Sequence, residues 1–282
     1  MIVTRFAPSP TGYLHLGHAF AAITARDAAR GGMFRLRIED LDVGRAREEF
    51  VQAIFEDLLW LGLDWREPVV RQSTRFDLYR AALAHLKAED IVYPCFCTRA
   101  EISAEIAGAA EAPHGPDGPL YPGTCRRLSR AERAVLLNSG ASHAFRLDSR
   151  KAAERLPLLW FEEAADASYT DYEKIPVEPL LSGDIVLARK DVPASYHLAV
   201  VIDDADQEIT LVTRGRDLLP ATHVQRVLQF LLDLPLPRYA HHRLITDESG
   251  CKLSKRTAAK SLRALRAEGV APRDIRVRLS SP

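Results

Sequence analysis

Short apolar runs alternate with amphipathic stretches along the N-terminal part of the chain. Residues 2–6 and 33–38 are apolar runs of strand length, and each predicts a buried strand. Helices are predicted up to Arg30 and at about 47–61 and 76–87, where apolar side chains recur on one face. Strands and helices that alternate at this spacing predict an α/β fold in which helices cover a parallel sheet.

The pattern breaks at an insertion and then resumes. Within the insertion, two capping boxes, Thr98-Arg-Ala-Glu101 and Ser129-Arg-Ala-Glu132, predict short helices on either side of a loop rich in Gly, Pro and Ala. Beyond the insertion, strands are predicted at 184–189, 196–202 and 209–214, and a helix at about 222–232.

We therefore expect one α/β catalytic domain in two halves. The halves span 1–92 and 149–250, the insertion spans 93–148, and a loop with a basic helical tail spans 251–282. A chain of 282 residues is long enough to bury a substantial core.

Charge is balanced overall but unevenly distributed. The chain has 38 Lys and Arg residues against 38 Asp and Glu, a net charge of zero that argues against a nucleic-acid partner. From Lys252 onward, however, nine basic residues stand against two acids, and residues 260, 263 and 266 share one face of a predicted helix. That face is either a solvated helix surface or a contact for a phosphate backbone.

The pattern lacks the features of membrane and secreted proteins. The apolar runs, such as 198–202, are far too short to cross a bilayer, and no signal-peptide pattern is present. We expect a cytoplasmic protein with no membrane partner. No dimer motif is evident, which favours a monomer.

A Pro/Gly-rich turn with two histidines lies between the first strand and the first helix. Backbone amides and the positive end of a helix meet at such a turn and form a general anion site. His15 and His18, three positions apart, are expected on one side of the first helical turn, where they can bind the phosphates of ATP. Gly17 would let the adenine approach the backbone. The alternative is a pair of ordinary surface or core histidines.

A second basic segment, Lys252-Leu-Ser-Lys255-Arg256, follows Ser249-Gly250 near the C-terminus. Two ammonium groups on a loop can bind the outer phosphates of ATP. Displacement at the α-phosphorus depends on such electrostatic stabilisation more than on an acid or a base. The alternative is a solvated charged loop.

Three of the four cysteines cluster in the insertion. Cys95-x-Cys97 and Tyr121-x3-Cys125 offer three thiolates and a phenol, and three sulfurs with one N or O ligand form a structural zinc site. His114 is an alternative fourth ligand, and three reduced cysteines without a metal are the other interpretation. Cys251, beside Lys252, is interpreted as incidental.

Together the two motifs resemble those of class I aminoacyl-tRNA synthetases. His15-Leu-Gly-His18 matches the HIGH motif with Leu for Ile, and Lys252-Leu-Ser-Lys-Arg256 matches KMSKS with departures at its second and last positions. The resemblance implies a Rossmann-type parallel sheet. It also implies that an amino-acid carboxylate attacks ATP, which binds with Mg²⁺, to give an aminoacyl-adenylate.

Four further segments resemble the glutamyl branch of that family: Arg5 to Gly12, Arg37 to Asp40, Ser195 to Asp204 and Arg214 to Asp217. A glutamate pocket should offer about two cations and one acid, and arginine suits planar carboxylates. The resemblance also favours Tyr121 over His114 as the fourth zinc ligand. The alternative for each charge is an ordinary surface ion pair. By the resemblance, L-glutamate is held by Arg5, Phe6, Ala7, Pro8, Ser9, Glu39, Tyr196 and Arg214.

Only 26 residues follow Arg256, too few for an anticodon-binding domain. The resemblance is therefore closest to the glutamyl-queuosine tRNA(Asp) synthetases, a truncated family. It implies that glutamate is activated without tRNA and transferred to queuosine in the anticodon loop of tRNA(Asp). Two alternatives stay open, a catalytic fragment of a glutamyl-tRNA synthetase that charges tRNA(Glu) and a non-catalytic tRNA-binding paralogue.

Overall fold

Strands and helices alternate in the first half of the catalytic domain, which confirms the prediction from the apolar pattern. The computed structural model describes residues 1–108, 114–116, 118–246 and 260–280. Its first elements are β1 (Val3–Phe6), α1 (Leu16–Ala28), β2 (Met33–Ile38), α2 (Glu48–Trp60), β3 (Arg66–Arg71) and α3 (Phe76–Ala88).

The insertion contains two capped helices and short strands. Both predicted capping boxes form, since Glu101 accepts the backbone N–H of Thr98 at 2.7 Å and Glu132 accepts that of Ser129 at 2.7 Å. The boundaries at 93 and 148 stay a prediction. The elements here are β4 (Val92–Cys95), α4 (Arg99–Gly108), β5 (His114–Gly115), β6 (Gly118–Pro119), α5 (Arg130–Asn138) and β7 (Ala144–Leu147).

The remaining elements complete the α/β domain. No helix among the described residues is long and apolar enough to span a bilayer. These elements are α6 (Ser149–Glu154), β8 (Trp160–Ala164), β9 (Tyr172–Pro176), β10 (Val186–Ala188), α7 (Tyr196–Asp206), β11 (Leu211–Gly215), α8 (Leu219–Leu231), β12 (Arg238–His242), α9 (Leu262–Ala267) and α10 (Pro272–Ser280).

The strand predicted at 196–202 is wrong, because this segment is the helix α7. Ser195 caps the helix, and its hydroxyl accepts the N–H of Leu198 at 3.4 Å. Residues 198–201 are buried one after another, so the helix has no polar face in this stretch to reveal its period. The same burial carries the carboxyls of Asp203 and Asp204 into the interior.

Two groups of parallel strands place their carboxyl ends at a common edge. In one group β1 pairs with β2 and β2 with β3; in the other, β12 lies between β11 and β8, with β9 antiparallel at the edge. The groups meet where the N–H of Thr210 donates to the carbonyl of Val3 at 3.0 Å. Arg5 at the end of β1 therefore comes close to Thr213 on β11, and this edge is where α/β sheets bind ligands.

A smaller antiparallel sheet of β10, β7 and β4 joins the insertion to the second half. The buried carboxylate of Asp184 accepts hydrogen bonds from Tyr93 Oη at 2.5 Å, from Arg126 Nη1 at 2.7 Å and from Ser149 Oγ at 2.6 Å. One side chain thus binds the start of the insertion, a residue in its interior and the segment that follows it.

The helices α9 and α10 pack into the core of the first half. Their buried apolar side chains belong to the same apolar cluster as Leu14, and the N–H of Leu262 donates to the carbonyl of Leu14 at 2.7 Å. Of the basic residues predicted to share a face, Lys260 pairs with Glu268, and Arg266 pairs with Glu56 at 2.9 Å. The buried apolar side chains of the two helices are Leu262, Leu265, Ile275 and Leu279.

A buried carboxyl, that of Asp57 on α2, lies beneath α9. Its side chain has no exposed surface, and its Oδ1 lies 3.8 Å from Nη2 of Arg266. Burial raises the pKa of Asp57 to about 6. A carboxyl whose pKa is higher in the folded than in the unfolded chain is neutral at low pH and does not destabilise the fold there. It lowers the free energy of unfolding as the pH rises from its pKa in the unfolded chain through its pKa in the folded chain.

We expect Asp57→Asn to raise the free energy of unfolding by about 1–3 kcal/mol at about pH 8 and to change it little at about pH 4, because the amide never ionises. Urea unfolding across this pH range measures the difference. Glu56→Gln, at the exposed neighbouring carboxyl, is the control and should show no such gain. A gain for Asp57→Asn that is the same at all pH values would contradict the prediction.

Candidate active site

A cavity of about 550 Å³ opens at the carboxyl edge of β1 and β11. It brings together every predicted nucleotide-binding and glutamate-binding residue of the described chain, whose individual roles stay predictions. Lys252 and Lys255 lie outside the described residues. The predicted residues that line the cavity are Arg5, Phe6, Ala7, Pro8, Ser9, His15, Gly17, His18, Glu39, Tyr196 and Arg214.

The described residues on both sides of the second motif lie at this cavity. Ile245, upstream of Lys252, lines it. Downstream, Ser261 forms an isolated bridge with His15, which also lines it. The described residues before the second motif and those after it therefore both lie at the cavity.

The two histidines cap helix α1. His15 is the N-cap residue rather than part of the first turn, and its Nδ1 accepts the N–H of Gly17 at 3.1 Å. The Nδ1 of His18 accepts the N–H of His15 at 3.2 Å, and the two ring centroids are 3.8 Å apart. A neutral imidazole that accepts at Nδ1 carries its proton on Nε2. Both rings thus present Nε2–H donors beside the positive end of a helix.

Gly17 leaves room for the ring of His15. A Cβ at this position would lie 3.0 Å from Cε1 and 3.2 Å from Nδ1 of His15, so the ring would have to shift by a few tenths of an ångström. The role predicted for Gly17, close approach of the adenine, is a separate matter and stays a prediction.

Arg5 is held by a buried carboxylate. Its Nε donates to Oδ1 of Asp204 at 2.9 Å, and its Nη1 donates to the carbonyl of Thr213 at 3.3 Å. Arg37, which has no exposed surface, donates to the same Oδ1 at 2.7 Å. Burial opposes ionisation of Asp204, but the two guanidinium groups outweigh it and hold its pKa below the ordinary value. Asp204 is thus ionised and fixes both arginines.

Glu39 places a carboxylate at the cavity. Its carboxylate lies 3.5 Å from Nη2 of Arg37, and its side chain is 15% exposed at the cavity. Burial raises the pKa of Glu39, although Arg37 and Arg5 oppose the shift. A partly buried carboxyl of this kind gains from a cationic ligand, such as the ammonium group of an amino acid.

Arg214 is held by neutral groups instead. Its Nη1 donates to Gln225 Oε1 at 2.7 Å and lies 3.4 Å from Oη of Tyr196. Its Nη2 donates to Thr222 Oγ1 at 2.7 Å, and its Nε donates to His241 Nε2 at 3.0 Å. Within the described residues, no carboxylate lies within ion-pair distance of Arg214. At the cavity, Arg5 is therefore bound to an acid, whereas Arg214 has no direct carboxylate partner among the described residues; Arg243 also lines the cavity.

The three cysteines of the insertion come together as predicted. The Sγ atoms of Cys95, Cys97 and Cys125 lie within 4.8 Å of one another. Tyr121 Oη lies 3.4 Å from the sulfur atoms of both Cys95 and Cys97. His114 lies on the hairpin strand β5, paired with Pro119. The three cysteines can hold a metal ion, and Tyr121 Oη lies beside them.

Sequence reasoning did not select the side chains that orient Arg5 and Arg214. Asp204 ends an apolar run with a second acid beside it, and a buried acidic pair was the available signal. Thr222, Gln225 and His241 lie on α8 and β12, and nothing in their local pattern distinguishes them from ordinary residues of those elements. Only the fold brings them to Arg214.

The parallel sheet, the histidine-capped helix and the guanidinium-lined cavity together define the catalytic domain of a class I tRNA synthetase. The family model for that domain in the class I tRNA synthetases "E and Q" matches residues 1–279. The chain belongs to this family.

Individual relatives lie within the glutamyl part of the family. The chain is 48% identical over 280 residues to a protein of Rhodobacter capsulatus named glutamyl-Q tRNA(Asp) synthetase, with 98% of each chain covered. It is 41% identical over 275 residues to the glutamate–tRNA ligase of Aquifex aeolicus, covering 96% of this chain and 55% of that protein. A solved glutamate tRNA ligase from Elizabethkingia meningosepticum, in complex with its amino acid, gives a TM-score of 0.71 at 30% identity. That match covers 90% of this chain and 52% of the ligase.

Proposed function

We propose that this protein activates L-glutamate with ATP and transfers the glutamyl group to queuosine in tRNA(Asp). The observation that carries the proposal is the cavity itself, where the guanidinium groups of Arg5 and Arg214 and the carboxylate of Glu39 lie beside the two Nε2–H donors at the start of α1. Such a site matches a dicarboxylic amino acid with one ammonium group next to a polyphosphate. The acceptor is proposed from the Rhodobacter capsulatus relative, which matches this chain over 98% of both lengths.

In the first step an oxygen of the α-carboxylate attacks the α-phosphorus of ATP, and pyrophosphate leaves. Arg214 and Arg5 bind the carboxylates of glutamate, and Glu39 binds its ammonium group. His15 and His18 donate from Nε2 to phosphate oxygens as charge builds on them. Lys252 and Lys255 are proposed to bind the outer phosphates, for which Mg²⁺ is the counter-ion. In the second step a hydroxyl of the acceptor attacks the glutamyl carbonyl carbon, and AMP leaves.

We also propose one structural zinc ion in the insertion. Three thiolates and one phenolate are a closed ligand set for zinc, and Cys95, Cys97, Cys125 and Tyr121 supply them. The apolar cluster here is small and consists of Tyr93 and the cysteines with a few partly buried neighbours. A bound metal would therefore supply stability that packing alone lacks.

The proposal is tested by two assays on the whole protein. Glutamate-dependent ATP–pyrophosphate exchange without tRNA tests activation, and absence of exchange would overturn it. Charging of tRNA(Asp) with and without queuosine tests the acceptor, with tRNA(Glu) as the comparison. We expect glutamate on queuosine-containing tRNA(Asp) only. Charging of tRNA(Glu) alone would show instead a glutamyl-tRNA synthetase activity.

We expect Gly17→Ala to lower kcat of the exchange reaction about tenfold, because the added Cβ displaces the ring of His15 from the developing charge. Gly44→Ala is the matched control, since a Cβ there meets its nearest neighbour, Asp42 Oδ1, at 3.4 Å. Steady-state exchange kinetics measure both variants. Equal kcat values for Gly17→Ala and the wild type would show that the position of the ring is unimportant.

A further inference from the structure

Behind Arg214, on the side away from the cavity, lies a carboxylate–imidazole pair. Glu163 on β8 faces His241 on β12, and its Oε2 lies 2.8 Å from Nδ1 of His241. The other carboxylate oxygen accepts the backbone N–H of His241 at 2.7 Å. The histidine side chain is 1% exposed, so bulk water does not compete for these bonds. A single carboxylate therefore holds His241 by two hydrogen bonds, one to the imidazole Nδ1 and one to the backbone N–H.

The opposite edge of the same ring meets Arg214. Nε of Arg214 lies 3.0 Å from Nε2 of His241, and an arginine can only donate. Nε2 must therefore be the unprotonated nitrogen and Nδ1 the protonated one, which matches the acceptor that Glu163 offers at Nδ1. Burial lowers the pKa of His241, although Glu163 opposes the shift, and this direction agrees with a neutral ring.

The pair has a consequence that a direct ion pair would not have. Asp204 touches the Arg5 guanidinium itself and balances its charge there. Glu163 instead contacts His241, whose imidazole ring separates it from Arg214. It therefore orients Arg214 without forming an ion pair with it. The other groups on Arg214, Thr222 Oγ1 and Gln225 Oε1, are neutral as well.

We propose that His241, held by Glu163 as the Nδ1–H tautomer, is a positioning residue that fixes the Arg214 guanidinium for a substrate carboxylate. This inference rests on the proposed function, since glutamate is the substrate that Arg214 would bind. Glu163 and His241 orient Arg214 and leave its charge available for a carboxylate ligand. A neutral amide in the same place would bind the guanidinium less strongly. Glu163 and His241 thus act on selectivity for glutamate over glutamine without touching the substrate.

Three substitutions separate positioning from a general structural role. His241→Leu removes the acceptor for Arg214 and should raise KM for glutamate about 10- to 100-fold, the cost of one hydrogen bond to a charged group. KM for ATP should change less than about twofold, because the ATP end of the cavity is untouched. His241→Gln restores an acceptor and should recover KM for glutamate to within about threefold of the wild type. His223→Leu is the matched control, since His223 is also buried but bonds the N–H of Glu178 instead of Arg214.

The tautomer itself is measured by nitrogen-15 NMR of the histidine rings in the whole protein, which does not depend on activity. A protonated Nδ1 and an unprotonated Nε2 at neutral pH support the proposal, and the reverse tautomer or a charged ring overturns it. Equal rises of KM for glutamate and ATP in His241→Leu, or equal effects in His223→Leu, would also overturn it. If the wild type shows no glutamate-dependent exchange, the proposed function fails, while the NMR result still decides the tautomer.

Discussion

Replacement of Asp204 by asparagine is expected to lower the free energy of unfolding by about 3–5 kcal/mol at neutral pH. The carboxylate accepts hydrogen bonds from Arg5 at 2.9 Å and from Arg37 at 2.7 Å, and both guanidinium groups are buried. Both arginines donate to the same oxygen of Asp204, which an amide could still offer, but an amide carries no charge and would turn an N–H donor toward Nη2 of Arg5, which lies 3.4 Å from Oδ2. Two buried cations then lose their shared counter-charge, which costs far more than the ion pairs themselves contribute.

The pH dependence of this effect follows from the direction of the pKa shift. The pKa of Asp204 is lower in the folded chain than in the unfolded chain, so its stabilisation is present above the unfolded value. That stabilisation is lost as the pH falls through the pKa that Asp204 has in the folded chain. The wild type and Asp204→Asn should therefore converge in stability in acid and diverge as the pH rises to neutrality.

Asp206→Asn is the matched control for this experiment. Asp206 lies on the same helix and also pairs with an arginine, Arg75, at 2.8 Å, but its side chain is 54% exposed. Its substitution should cost no more than about 1 kcal/mol. Urea unfolding of both variants gives the comparison, and similar losses would contradict the role assigned to burial. We also expect Asp204→Asn to raise KM for glutamate, since Arg5 loses its fixed position.

Removal of the metal proposed for the insertion is expected to unfold that segment and leave the parallel sheet intact. The wild type should contain about one zinc ion per chain. Cys125→Ser, or treatment with a strong chelator, should release it. Hydrogen exchange should then become fast around the cysteine cluster, at residues 95–97 and 121–128, and stay slow in β1 and β11, because the buried side chains of these strands belong to other apolar clusters.

Cys251→Ser is the control for this substitution, as Cys251 belongs to neither half of the cysteine motif, and it should retain the metal. Tyr121→Phe and His114→Ala then identify the fourth ligand, and we expect loss of zinc affinity for Tyr121→Phe alone. A wild-type protein without zinc, or unchanged exchange after chelation, would rule out a structural metal.

The sequence predicted the elements that carry their own local signal. The capping boxes at Thr98 and Ser129 and the helix over 76–87 were found because caps and one-sided apolar faces are properties of neighbouring residues. Helix α7 was missed because burial of four successive residues removes that signal. Its identity depends on what packs around it, which no local window contains.

The residues of the candidate site likewise fall into those with a local sequence signal and those without one. The residues predicted to contact substrate lie in short motifs, and the resemblance carried over Arg5, Glu39 and Arg214 directly. The residues that orient them come from distant elements: Asp204 is 199 positions from Arg5, and Glu163 is 78 positions from His241. Such pairs obey no spacing rule, so only the folded chain reveals them.

The attachment of α9 to the first motif bears on how this domain can be engineered. Leu262 is bonded to the backbone beside His15, and its helix shares the core of Leu14. We therefore expect residues 260–280 to be part of the smallest unit that keeps His15 in its place. A protein fused behind α10 would be joined to a pair of helices that pack on the core of the first half, so strain at the fusion point could reach the first motif.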